Sequence, residues 1–179
     1  MTGQTAWHIR EAQGGDAEAL ALIGAATFLE TFAGILDGAA IVSHCALHHS
    51  AAAYRDYLNG GARAWLAEMW PGEAPIGYAL IARPDLAAAV EGDCELKRIY
   101  TLSRFHGSGL GGALMDAVVN GAAGHLRLLL GVYAHNARAL AFYQRNSFVK
   151  LADRQFNVGG KLYDDVVLAR PLGPQLRNL

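Results

Sequence analysis

The chain has no apolar run near the ~20 residues that a membrane-spanning helix needs, no block of lysine and arginine, and only 2 cysteines in 179 residues. Each absence removes a class of function. A formal charge of −1 without a basic stretch argues against a protein that holds nucleic acid by neutralising phosphates. Cys45 and Cys94 do not make a disulfide framework, and residues 1–6 show neither the charged start nor the apolar centre of a secretion signal, so a reducing cytoplasm is the expected compartment. No internal repeat or low-complexity linker divides the chain. Its 53% apolar composition suffices for one core, so a single domain over 1–172 with a flexible tail over 173–179 is expected.

The order of elements is read from periodicity and turn residues. A short strand over Trp7–Arg10 is followed by a helix to about Phe32, with Asp16 as its N-cap. A second helix of weak periodicity is expected over Ala39–Leu58, ended by Asn59-Gly60-Gly61. Strands at Ala64–Glu68 and Ile76–Ala82 flank a proline-stiffened loop, and a third runs from Cys94 to Leu102. Then come a helix from about Gly111 to Ala123, a strand over Leu126–Val132 and a helix over Asn136–Arg145. A hairpin over Phe148–Phe156 and Leu162–Ala169 closes the chain around Gly159-Gly160. Antiparallel hairpins on both sides of one strand–helix–strand unit imply an α/β fold with a mixed, mostly antiparallel sheet of about seven strands and about four helices.

The most informative stretch is Arg104-Phe105-His106-Gly107-Ser108-Gly109-Leu110-Gly111-Gly112, a glycine turn opening into a helix. A helix start offers unpaired N–H groups and partial positive charge, and glycines let an anion approach the backbone, so a phosphate-bearing ligand is expected. Gly107, Gly109 and Gly112 satisfy the dinucleotide spacing, but Gly131-Val132-Tyr133-Ala134-His135 lacks the acidic residue that a nicotinamide cofactor would want. A nucleoside-triphosphate loop fails for want of Gly-Lys-Ser/Thr.

Three segments together, Glu95-Leu96-Lys97-Arg98-Ile99-Tyr100-Thr101, His106 to Leu114, and Asn136-Ala137-Arg138-Ala139-Leu140-Ala141-Phe142-Tyr143, resemble the GNAT superfamily of acyl-CoA-dependent N-acetyltransferases. With the Leu130–Tyr133 strand end and Phe156-Asn157-Val158-Gly159 followed by Asp165, the pattern is similar to the PaiA-type branch, which includes spermidine/spermine acetyltransferases. The resemblance implies a GNAT-like fold and direct acetyl transfer from acetyl-CoA to a primary amine of a small molecule or peptide. It implies that backbone amides from Gly107, Ser108, Gly109, Leu110, Gly111 and Gly112 wrap the coenzyme pyrophosphate. The preceding strand should open away from its neighbour, so that Ile99, Tyr100 and Thr101 line the coenzyme and backbone groups at Ile99 and Thr101 bond the thioester and pantetheine. Asn136 and Ala139 join the coenzyme site, Asn136 also as helix cap. Tyr143 is implied as the acid that protonates the departing thiolate, against the plainer reading of a core aromatic.

The amine must lose a proton before it attacks. Glu95 is the candidate base, although its spacing equally fits a salt bridge with Lys97 or Arg98. Glu30, Tyr100 and Asp165 are candidates for the acceptor pocket, with a surface carboxylate the blander reading of Glu30. His106 replaces the usual Gln or Arg of the loop and would favour the phosphate when protonated. Ser147 stands where glycine normally follows the last helix. Of His44, His48 and His49, His44 and His48 share one helical face at i, i+4, but no third ligand is spaced nearby except Cys45, which points elsewhere, so a solvated or acceptor-lining face is expected and no metal. A coenzyme-binding regulatory module and a nicotinamide-dependent enzyme remain alternatives. The acceptor and the oligomeric state, with a homodimer common for small enzymes, stay open.

Overall fold

A computed structural model describes residues 6–173; the N-terminal residues 1–5 and the tail residues 174–179 lie outside the described residues. Seven strands form one sheet in the order β1-β2-β3-β4-β5-β7-β6. They are β1 (Trp7–Glu11), β2 (Arg63–Met69), β3 (Ala74–Ala82), β4 (Cys94–Thr101), β5 (Arg127–Tyr133), β6 (Val149–Val158) and β7 (Lys161–Pro171). All neighbours pair antiparallel except β4 and β5, which run parallel across the helix between them. Parallel neighbours need such a crossover, so the mixed sheet follows from the one strand–helix–strand unit seen in the sequence.

Among the described residues five helices cover the sheet: α1 (Ala17–Phe32), α2 (Gly38–His48), α3 (Ala51–Asn59), α4 (Leu110–Gly121) and α5 (Ala137–Arg145). Four were expected, because residues 39–58 read as one helix. The chain breaks there at His49-Ser50: Ser50 is extended and its hydroxyl accepts the Ala53 N–H at 3.2 Å, capping a new helix. Asp37 caps α2 in the same way through the Ala39 and Ala40 N–H groups. Asp16 precedes α1 but does not cap it with its side chain. Its carboxylate instead takes Arg10 at 2.8 and 2.9 Å and the Gln13 N–H at 2.7 Å, so an ion pair outcompetes the cap. The last strand runs two residues beyond the expected end, and the Leu172 N–H donates to the Leu126 carbonyl.

Alternation along the central strands feeds two cores. Trp65, Ala67, Ala79, Ile81 and Leu96 face α4 and α5, meeting Leu110, Leu114, Met115, Val118 and Tyr143. Ala64, Leu66, Tyr78 and Leu80 face the other way, onto Leu20 and Ile23 of α1 and Tyr54 of α3. Each large apolar side chain buried in this way contributes about 1.5–3 kcal/mol. The two layers hold the centre of the sheet from both sides, and there β4 leaves its neighbour.

Candidate active site

Strands β4 and β5 are joined only at their beginnings, where Cys94 pairs with Leu128 and Glu95 with Leu129. Beyond Glu95 they diverge. Antiparallel pairing with β3 continues to Thr101, so the edge of Lys97–Thr101 that looks toward β5 keeps its backbone groups free of strand partners. A register shift accompanies the fork: Leu80 lies opposite Arg98 and Ile81 opposite Leu96, leaving Lys97 as an extra residue. Such a bulge bends a strand and re-aims its side chains.

The glycine turn sits at the end of β4. After a short 3-10 turn over Ser103–Phe105, Gly107 and Gly109 adopt φ of +80° and +87°, a region that costs an L-residue about 1–2 kcal/mol. Both are therefore required by the backbone path itself. An added Cβ at Gly107, Gly109 or Gly112 would meet open space, so the turn presents backbone to the outside. Among the described residues, the N–H groups of Gly107, Gly109, Gly111 and Gly112 have no protein acceptor. That leaves a row of amides and the positive end of α4 at one spot. Leu110, fully buried, anchors the helix start. Ser108 bonds the Phe105 carbonyl through Oγ at 2.7 Å, bracing the loop.

Tyr143 is buried among Phe142 and Phe148 on α5, with ring centroids 5.5 and 5.6 Å away. Its hydroxyl has no protein partner among the described residues. Burial, aided by the nearby Tyr100, raises its pKa well above that of an ordinary phenol, so it stays protonated. Asn136 caps α5, accepting the Ala139 N–H at 3.0 Å; Ala139 and Ile99 pack against the α4-side core. Tyr100 lies on the opposite face, stacked 6.2 Å from Tyr78.

Three carboxylates singled out in the sequence are each held by the protein. Glu95 accepts the Lys97 ammonium at 2.7 Å and the Asp85 N–H at 3.0 Å. The ion-pair reading of Glu95 is thus the one the geometry favours. Glu30 is held at Ser103: its carboxylate takes both the N–H and the hydroxyl of Ser103, at 2.8 and 2.6 Å, and so ties α1 to the approach of the glycine turn. Those bonds hold Glu30 below the usual carboxylate range. Asp165 faces Arg154 at 3.1 Å, and burial raises its pKa. It lies opposite Tyr133 of β5 and within electrostatic reach of Tyr100, across the fork.

His106 donates its Nε2–H to the Thr101 carbonyl at 3.3 Å, and partial burial with Arg138 nearby lowers its pKa. Arg138, on the first turn of α5, is thus a cation beside the turn that periodicity did not single out. Of His44, His48 and His49, only His48 is exposed. His44 and His49 are buried, stacked on or near Phe28, and burial pushes them to about 4 and about 3. His49 Nδ1 bonds the Tyr54 hydroxyl at 2.9 Å, and Tyr54 in turn bonds Tyr78 at 3.0 Å.

A sheet forked at its centre, with free amides at one lip and a protonated tyrosine hydroxyl nearby, is the architecture of an acyl-group transferase. The chain belongs to the acetyltransferase (GNAT) family, whose model matches residues 35–148, and it is an N-acetyltransferase of that family. An uncharacterized N-acetyltransferase of Mycobacterium tuberculosis is 35% identical over 159 residues, covering 88% of this chain and 98% of its own. The fold is also that of the PaiA N-acetyltransferase from Thermoplasma acidophilum solved in complex with coenzyme A, with a TM-score of 0.75 and 18% identity over 93% of this chain and 99% of that one. The yncA putative acetyltransferase from Salmonella typhimurium, solved with acetyl-CoA, gives 0.67 and 20% over 96% and 97%.

Proposed function

We propose that the fork between β4 and β5 receives acetyl-CoA, and that the protein transfers its acetyl group to a primary amine of a small molecule or peptide. One observation carries this reading: β4 parts from β5 after Glu95 beside four amides without protein acceptors. The fit is good on three counts. Gly107, Gly109, Gly111 and Gly112 offer N–H groups for a pyrophosphate. The free edge of β4 at Ile99 and Thr101 offers strand-like bonds to an extended pantetheine arm. Tyr143 offers an O–H where a sulfur would leave.

Acetyl-CoA supplies an activated acyl thioester; the protein's part is positioning and proton handling. The Ile99 amide polarises the acyl carbonyl, and the Tyr143 hydroxyl donates its proton to the leaving sulfur. Asn136 and Ala139 orient the start of α5, while Arg138 and, at low pH, His106 add positive charge beside the phosphates. Because Lys97 and Asp85 occupy Glu95, water at the mouth of the fork is the nearer route for the amine's proton. Two free thiols, Cys94 buried and Cys45 partly so, suit a cytoplasmic protein.

The test is thermal-shift titration with acetyl-CoA followed by a free-thiol assay over a panel of amines. A shift saturating with acetyl-CoA and amine-dependent thiol release are expected; no shift at saturating acetyl-CoA overturns the reading.

A further inference from the structure

Arg98 is a half-buried guanidinium with no carboxylate partner among the described residues. Its partner across the strands is Leu80, which belongs to the same packed face as Tyr54 and Tyr78, so the bulge at Lys97 turns Arg98 toward α1 and α3. Its only hydrogen bond among the described residues runs from Nη1 to the Lys97 carbonyl at 2.9 Å, leaving about four of the five guanidinium N–H donors unused. The neighbouring acids are already taken. Glu95 holds Lys97, and Asp165 holds Arg154. Around Arg98 stand the hydroxyls of Tyr54, Tyr57, Tyr78 and Tyr100, all within its field.

The same wall holds a second unmatched group. His49 Nε2 is buried without a partner among the described residues, while Nδ1 is tied through Tyr54 to Tyr78. Gly24 of α1 keeps this contact in place, since a Cβ there would lie 2.3 Å from the Tyr54 hydroxyl and 2.5 Å from His49 Nδ1. Taking a charge out of water costs several kcal/mol unless something pairs with it. A planar fork of donors matches a carboxylate or phosphonate two-pronged.

We propose that Arg98 receives an anionic group on the amine acceptor, so that the protein acetylates amines bearing a carboxylate or phosphonate and disfavours polyamines. Arg98 directly precedes Ile99 on β4, so a small molecule with its anion at Arg98 can bring its amine to the fork. A polycation would meet an unpaired positive charge there, while Glu30, Glu95 and Asp165 are already bound within the protein. The inference rests on the acetyl-transfer reading of the fork.

The experiment uses matched amines with the full-length protein and acetyl-CoA: β-alanine against β-alaninamide, an α-amino acid against its carboxamide, 2-aminoethylphosphonate, and spermidine. The anionic member of a pair is expected to be favoured by about 100-fold or more in kcat/KM, as for a desolvated ion pair. Arg98→Gln should bring the ratio within about tenfold, with the acetyl-CoA thermal shift unchanged. The carboxylate and phosphonate arms show which oxyanion is preferred. Carboxamides or spermidine reacting as well as the acids overturns the proposal on the unmodified protein, whatever Arg98→Gln does. If no amine reacts, the same amines are titrated by thermal shift into CoA-saturated protein; a shift from the anionic members alone supports the proposal, and none overturns it. Absence of any acetyl-CoA shift defeats the transferase reading instead.

Discussion

The Lys97 ammonium lies 2.7 Å from the Glu95 carboxylate, and both side chains are only 7% exposed. The pair sits where β4 and β5 still touch, just before they part, so it anchors the closed end of the fork. Lys97 also reaches the exposed Asp85 at 2.9 Å. Glu95→Gln would leave a buried ammonium with one solvated partner, and a loss of about 3 kcal/mol in urea unfolding is expected. The rise of kcat/KM with pH should survive the substitution. Disappearance of that rising limb would instead make Glu95 the group that takes the amine's proton.

Tyr143→Phe isolates the hydroxyl from the packing. The ring between Phe142 and Phe148 is kept, so stability and acetyl-CoA affinity should change little. Turnover should fall about 100-fold, the usual contribution of a positioned acid. Because burial raises the phenol's pKa, the hydroxyl remains a donor throughout the working pH range and should impose no falling limb of its own below pH 9. Steady-state rates beside calorimetric Kd values decide the matter; unchanged turnover would leave Tyr143 a core aromatic.

His106 bears on coenzyme affinity only when it is charged. Its pKa lies below the ordinary 6.5, because partial burial and Arg138 both disfavour the cation. Any attraction to phosphate is therefore present below that lowered value and lost as pH rises through it. Affinity for acetyl-CoA should be flat from pH 7 to 8 and the same in His106→Gln. Below pH 6 the unmodified protein should bind more tightly than the variant. A clear difference between the two at pH 7.5 would contradict this.

Much of the fold was legible because turn chemistry and period agree: Asn59-Gly60-Gly61, Gly159-Gly160 and the glycine turn each end or open an element where expected. The break at Ser50 was hidden because alanines on either side of it favour helix and neither Gly nor Pro interrupts the run; the Ser50 side chain, competing for a backbone N–H, marks it. The site was legible where it depends on local backbone, as at Gly107 and Gly109. It was not where it depends on contacts far apart in sequence, such as Glu30 with Ser103, or on register. Arg98 is the instructive case. Leu96 and Ile99 both belong to the α4-side core, a spacing of three that strict alternation forbids, and that irregularity was the available sign of the bulge that turns Arg98 to the other face.

Ser147 offers a test of how α5 is held. It adopts φ of +65°, donates its N–H to the Gln144 carbonyl at 3.1 Å, and lets the Phe148 N–H reach the Tyr143 carbonyl at 3.0 Å. Those two bonds form a left-handed helix cap of the kind that glycine usually makes. The cap drops Phe148, 2% exposed, into the core against Tyr143, so a serine is kept in a strained conformation right behind the proposed acid. Ser147→Gly relieves the Cβ clash but frees the unfolded chain, for a net gain of about 1 kcal/mol. For a chain of this length that corresponds to a rise of about 2–4 °C in Tm. Ser147→Val, β-branched at positive φ, should lower Tm and loosen Tyr143, reducing kcat as well. Equal Tm for serine and glycine would mean that the strain at positive φ is no larger than the chain-entropy cost of glycine.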